Sequence, residues 1–207
     1  MLVARNAVRM PCMSVGPEAL HSRAARDLAF IRDTMARSGR FTAVAGKGGV
    51  AIGVLGLLAA WVAQGQRSDE TWLLTWLAAA AIGGTVEGAF LAAKSRRMKV
   101  PLLRGAGRQF LFSLAPAATV AALLTMPLYS AGRVELLPAL WLLHYGAGVL
   151  SAGVFSVAAV PAMGLSFLGL GVVALLCPPG YGDVLLACGF GGLNIAFGAL
   201  IWRRHGG

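Results

Sequence analysis

The chain has 207 residues, 57% of them hydrophobic, with a formal net charge of +10. Only 13% are charged, against about 25% in soluble domains, and mean hydropathy is +0.73. A soluble fold has no means of hiding that much apolar surface, so the composition excludes one. The basic excess points to anionic lipid headgroups rather than nucleic acid, because no nucleic-acid-binding motif and no interleaving of aromatic with basic residues accompanies it.

The first segment, residues 1–16, lacks the apolar core and cleavage site of a signal peptide and is expected to be flexible. A helix is predicted over 17–39. Ser14 suits its cap, Pro17 its first turn, Glu18 the positive end of its dipole and Gly39 its stop. Leu20, Ala24, Leu28, Ile31 and Met35 fall on one stripe, while Arg23, Arg26, Asp33 and Arg37 fall opposite. That is an amphipathic helix with a basic face, suited to lie in the interface of a bilayer or to dock on protein.

Six apolar runs follow within 44–202: Val44–Gln64, Thr71–Ala93, Gln109–Tyr129, Leu136–Val157, Ala158–Cys177 and Val184–Trp202. A bilayer core of about 30 Å takes about 20 apolar residues per helix. The expected fold is therefore all-α, an integral membrane bundle of six transmembrane helices, with residues 203–207 as a tail. Pro116, Pro127 and Pro138 lie in or near spans, where proline is tolerated and kinks helices. Almost no loop separates the fourth and fifth spans, around Ala158–Pro161, so a tight helical hairpin is expected there. The 28 glycines suit close helix packing in lipid. Gly49 with Gly53, and Gly84 with Gly88, have the small-xxx-small spacing.

Of the 18 Lys and Arg, 16 lie on one side: before or at the start of the first span, after the second, or in the tail. Arg67 and Arg133 stand on the other side, beside Asp69, Glu70, Glu135 and Asp183. The positive-inside rule then puts both termini in the cytoplasm, with the protein multi-pass in a bacterial inner membrane. Trp72, Trp76 and Trp141 sit toward outer span ends and Trp202 at an inner end, as interfacial anchors do.

Ionisable and polar groups at membrane depth are few. Glu87 lies in the second span, about two turns from its basic end by the helical rise, and Lys47 lies at similar depth in the first. Two readings stand for Glu87: an ion pair with Lys47 or a reach toward Lys94, or a proton- or cation-binding carboxylate facing a cavity. His144, followed by Tyr145, is the one histidine within a span. It serves as an interhelical hydrogen-bond partner or as a haem ligand. A haem with two axial histidines needs a second histidine at that depth, and His21 and His205 lie outside the spans. No cofactor is expected on this basis. Asn194 sits in the middle of the sixth span among glycines and must find partners there. Cys12, Cys177 and Cys188 have no metal-ligand spacing, and no metal site is expected. Cys177 and Cys188 flank the last short loop, as a disulfide or as two buried apolar residues.

The runs His21 to Met35, Phe41 to Gly49, Leu136 to Leu143 and Gly189 to Asn194 resemble a family of small uncharacterised bacterial membrane proteins. The resemblance covers most of the chain after about residue 17. It implies a six-span fold with the N-terminal helix as part of the design, and it carries no activity and no functional residues.

No phosphate-binding loop and no nucleophile elbow appears in the sequence, so an enzyme is not expected. The first expectation is a non-catalytic membrane protein, a scaffold or accessory subunit, associating with itself or with another membrane protein. The alternative is a small transporter or channel whose path is lined by Glu87, His144 and Asn194. A third reading is a haem- or quinone-associated redox subunit. Convergence of Glu87, His144 and Asn194 on one place favours transport, whereas their dispersal as local ties between helices favours the scaffold.

Overall fold

A computed structural model describes residues 25–28, 30–31, 44–99 and 102–205. The chain divides into two units, Met1–Ser38 and Gly39–Gly207. In the first, residues 25–28 and 30–31 are helical, and Leu28, Phe30 and Ile31 are exposed. The expectations for residues 1–16, for the cap at Ser14 and for the stop at Gly39 lie outside the described residues.

The second unit is an all-α bundle. Its elements are α1 (Gly46–Gln64), α2 (Asp69–Met98), α3 (Gly105–Ser130), α4 (Leu137–Gly153) and α5 (Ala159–Leu176), then a composite last span. That span begins as α6 (Gly182–Leu186), widens into a π-helical stretch at Ala187–Leu193, and ends as α7 (Asn194–His205). Among the described residues, six helices are long and apolar enough to cross a membrane. This is a multi-pass membrane protein.

Local chemistry accounts for the helix ends. Ser68 caps α2 by accepting from the Thr71 backbone N–H at 3.3 Å, with Asp69 and Glu70 in the first turn. Arg96 and Arg97 occupy the last turn, and Lys99 closes it in a left-handed conformation with φ 54°. These signals make α2 longer than its apolar run, Thr71–Ala93, because capping and dipole-matched charges carry a helix past the hydrophobic boundary. Between α4 and α5 lie only the five residues 154–158, so the hairpin is tight.

Glycine decides which helices touch. α1 crosses the last span through Gly46, Gly49, Gly53 and Gly56, which face Trp202, Gly198, Ile195, Gly191 and Phe190. A Cβ on Gly198 would stand 2.7 Å from the Val50 nitrogen and 2.9 Å from the Gly46 oxygen. The two backbones therefore meet with no side chain between them, the arrangement that drives helix association in lipid. α4 and α5 close in the same way, with Gly146 against Gly164 and Leu168, Gly153 against Pro161, and Gly171 against Leu143. The last span lies at the centre, packed on α1 and also on α4 and α5.

The outer helices are held more lightly. α2 packs on α1, where Gly83 lies under Leu55 and Ile52. α3 packs on α4, with Leu114 and Ala117 over Gly148. Only 6% of the apolar window of the α3 span and 17% of that of α2 is buried. Phe112, Leu123 and Met126 of α3 point outward, as side chains facing lipid tails do.

Candidate functional site

Two polar groups at membrane depth meet where α4 and the last span come together. Asn194 opens α7 at the end of the π-helical stretch and is 2% exposed. Gly189, Gly191 and Gly192 lie within that stretch, and glycine gives up the regular α-helical ladder most readily. The Asn194 side-chain N–H donates to the Phe190 carbonyl at 3.1 Å, and its oxygen accepts a long bond from the Tyr145 hydroxyl at 3.4 Å.

Glu87 stands on α2. Its carboxylate lies against Gly48, so that a side chain there would displace the flexible end of Glu87. One of its oxygens, Oε2, is buried and has no hydrogen-bond partner. Tyr145 and Asn194 thus form one cluster, and no hydrogen bond among the described residues joins Glu87 to it. Gly49 brings α1 against the Asn194 backbone.

The expected ion pair between Glu87 and Lys47 is not formed. Gly48, one residue on from Lys47 and about 100° around the helix, is what meets Glu87. Lys47 turns instead toward the last span and sets its ammonium over the Trp202 ring, 5.2 Å from the centroid. Lys94 does not answer Glu87 either. Its buried ammonium donates to the Val44 carbonyl at 3.0 Å, tying α2 to the start of α1.

His144 also stays outside the cluster. It precedes Tyr145 by one residue, so it leaves α4 on another side. Its ring Nδ1–H donates to the Leu140 carbonyl of its own helix at 2.8 Å. Of Glu87, Lys47, His144, Tyr145 and Asn194, only Tyr145 and Asn194 are joined by a bond. Cys177 and Cys188 are free thiols, so a disulfide between them is not realised; nor are they buried, Cys177 being half-exposed and Cys188 exposed.

A chain of aromatic rings covers the cluster on the side of the acidic loops. Asp183, in the first turn of α6, accepts indole N–H bonds from Trp72 at 2.7 Å and Trp76 at 3.3 Å. Trp72 stacks on Trp141 with centroids 5.6 Å apart. Trp141 donates to the Thr125 hydroxyl at 3.0 Å, which joins α3 to α4. Trp76 leads on to Phe190 at 6.3 Å, and Phe190 touches both Tyr145 at 5.2 Å and Phe167 at 5.6 Å. Trp72 and Trp76, expected as interfacial anchors, share Asp183 as an acceptor. Their i, i+4 spacing, on the same side of the membrane as Asp183, is the sequence signal for that contact.

The other polar groups of the spans serve their own helices. The hydroxyls of Thr75, Thr85, Thr119, Thr125 and Ser166 each donate to the carbonyl four residues back. The chain matches no protein-family model, and no curated protein or solved structure compared with it matches either.

Proposed function

We propose that this protein is a non-catalytic membrane component that works by association, as a homo-oligomer or as the accessory subunit of a membrane complex. The observation that carries this reading is the unoccupied face of α2. Gly84 and Gly88 are exposed, and a Cβ on either would meet nothing within 4 Å. Ala81 and Thr85 are exposed beside them, and the Thr85 hydroxyl is already bonded to Ala81 within the helix. This is a smooth strip of small residues on the outside of the bundle, whereas the equivalent strip on α1 is consumed inside it.

The occupant we assign is α2 of a second copy. Copies inserted by the same charge rule share one orientation, so two α2 helices meet in parallel, the arrangement small-xxx-small pairs favour. The remaining polar groups agree with a structural role, because Lys94, Asp183 and Thr125 each tie one helix to another.

In this reading the basic ends of the spans face the cytoplasm of a bacterial inner membrane. The amphipathic N-terminal helix then lies on anionic headgroups. Accessibility of single cysteines placed at Arg133 and Lys99 tests the orientation. Labelling by an impermeant reagent from outside at 133 and not at 99 is expected.

The test of association is the double substitution Gly84→Leu with Gly88→Leu. Neither leucine meets its own bundle at Cβ, so the subunit folds, and the oligomer is lost. An unchanged oligomeric state removes α2 as the contact. A second reading, a small transporter, is favoured by one observation, the buried Glu87 Oε2 that has no hydrogen-bond partner. It lacks a bond from Glu87 to His144 or Asn194.

A further inference from the structure

The basic end of the spans has no acidic counterpart. The sequence carries no Asp or Glu between Asp33 and Asp69, between Glu87 and Glu135, or after Asp183. At that end α1 begins where the last span finishes. Gly46 lies on the Trp202 backbone and Gly49 on Gly198, so bare backbone forms the floor of the seam between the two helices. Lys47 stands on one side of this seam, with its ammonium 5.2 Å from the centroid of the Trp202 ring. Both residues are exposed, and so is Arg203, the next in the chain. Neither Lys47 nor Arg203 pairs with a carboxylate among the described residues, where the ion pair Arg133–Glu135 stands at the opposite end of the spans.

The contact between Lys47 and Trp202 bridges the two helices, so the faces that continue from these residues open on the same side of the seam. On α1 that face runs through Ala51, Val54 and Leu58, at steps of three and four residues, and Val54 and Leu58 are exposed. On the last span it runs through Ala199 and Ala196, of which Ala196 is exposed. One wall is thus bulky and apolar, the other is low, and two cations stand at the basic end. A lysine ammonium carries three donors, and resting on a ring leaves them open to an anion on the outer side. A free phosphate would use the cations and leave the apolar track below them empty. A phospholipid uses both, with its phosphate at Lys47 and Arg203 and an acyl chain along Val54 and Leu58. Basic seats between spans take anionic headgroups, and each Lys or Arg near the surface favours them about fivefold.

We propose that the seam between the start of α1 and the end of the last span is a binding site for one anionic phospholipid, its phosphate held by Lys47 and Arg203 beside the Trp202 ring. The site uses no residue of α2. It therefore stands or falls separately from the association through that helix.

The full-length protein, purified in a neutral detergent, is titrated with phosphatidylglycerol and with phosphatidylcholine carrying the same chains, and the adducts are read by native mass spectrometry. One phosphatidylglycerol per chain is expected at concentrations where phosphatidylcholine leaves the site empty. Lys47→Gln and Arg203→Gln should each weaken that adduct about fivefold. Lys99→Gln removes an equal charge from the exposed end of α2 and should leave it unchanged. Equal uptake of the two lipids, or an equal loss in all three variants, overturns the proposal. Displacement of the lipid by inorganic phosphate would make a free anion the occupant and would overturn it as well.

Discussion

Gly198→Ala tests the close crossing of α1 and the last span. The added Cβ would stand 2.7 Å from the Val50 nitrogen, 2.9 Å from the Gly46 oxygen and 2.9 Å from the Gly49 carbonyl carbon. All three are backbone atoms, so no rotamer change relieves the overlap. The two helices must part by about 0.5–1 Å, a gap that forfeits a quarter to a half of each dispersion contact along the seam. Overpacking of this kind costs about 1–3 kcal/mol. The gain in helix propensity on replacing glycine returns about 1 kcal/mol at most. Gly169→Ala supplies the control, because its Cβ meets nothing within 4 Å and it keeps the propensity gain. The two variants should therefore differ by about 1–3 kcal/mol, with Gly198→Ala the less stable. The assay is unfolding in mixed micelles by an ionic detergent, followed by helical circular dichroism. Equal midpoints for the two variants would refute the claim that backbone contact at Gly198 holds the bundle together.

Further expectations follow from single contacts. Asp183→Ala strands two indole N–H groups, costs about 1–3 kcal/mol, and changes tryptophan emission as the Trp72–Trp141 stack loosens; an unchanged spectrum with unchanged stability contradicts the shared acceptor. Lys94→Met removes the donor to the Val44 carbonyl at the start of α1 and should lower stability by about 1 kcal/mol, whereas Lys99→Met, at the exposed end of α2, should be neutral in the same assay. Glu87→Gln replaces a charge-bearing group by a neutral one of the same shape and should leave the protein as stable as before or more so. A large loss of stability in that variant would mean the carboxylate has a structural partner.

Much of this architecture can be read from hydropathy and charge alone. All six spans appear as apolar runs, because lipid removes the alternatives to a helix. The ends of α2 fall outside its apolar run because Ser68 and Lys99 set them by capping, which hydropathy does not register. The cluster was legible only in part. Glu87, Tyr145 and Asn194 stand out as polar residues in apolar surroundings, and that is enough to nominate them. Which of the nominated residues meet depends on helix rotation. A step of about 100° per residue separates Gly48 from Lys47 and Tyr145 from His144, and an apolar run carries no record of that angle. The π-helical turn at Ala187–Leu193 rotates Asn194 further, and glycine content hints at such a turn without locating it. The use of glycine was likewise split in a way spacing does not reveal. Gly49 and Gly53 pack against the last span, while Gly84 and Gly88, with identical spacing, are left open.

That open pair carries the functional proposal, and native mass spectrometry of protein released gently from its own membrane tests it most directly. The account predicts a complex of fixed stoichiometry for the unaltered chain, a homo-oligomer through α2, and a folded monomer for the variant with leucine at positions 84 and 88. A partner protein of another kind held through the same face would replace the second copy and retain the associative role. A monomer from both chains, each folded and alone, would contradict it.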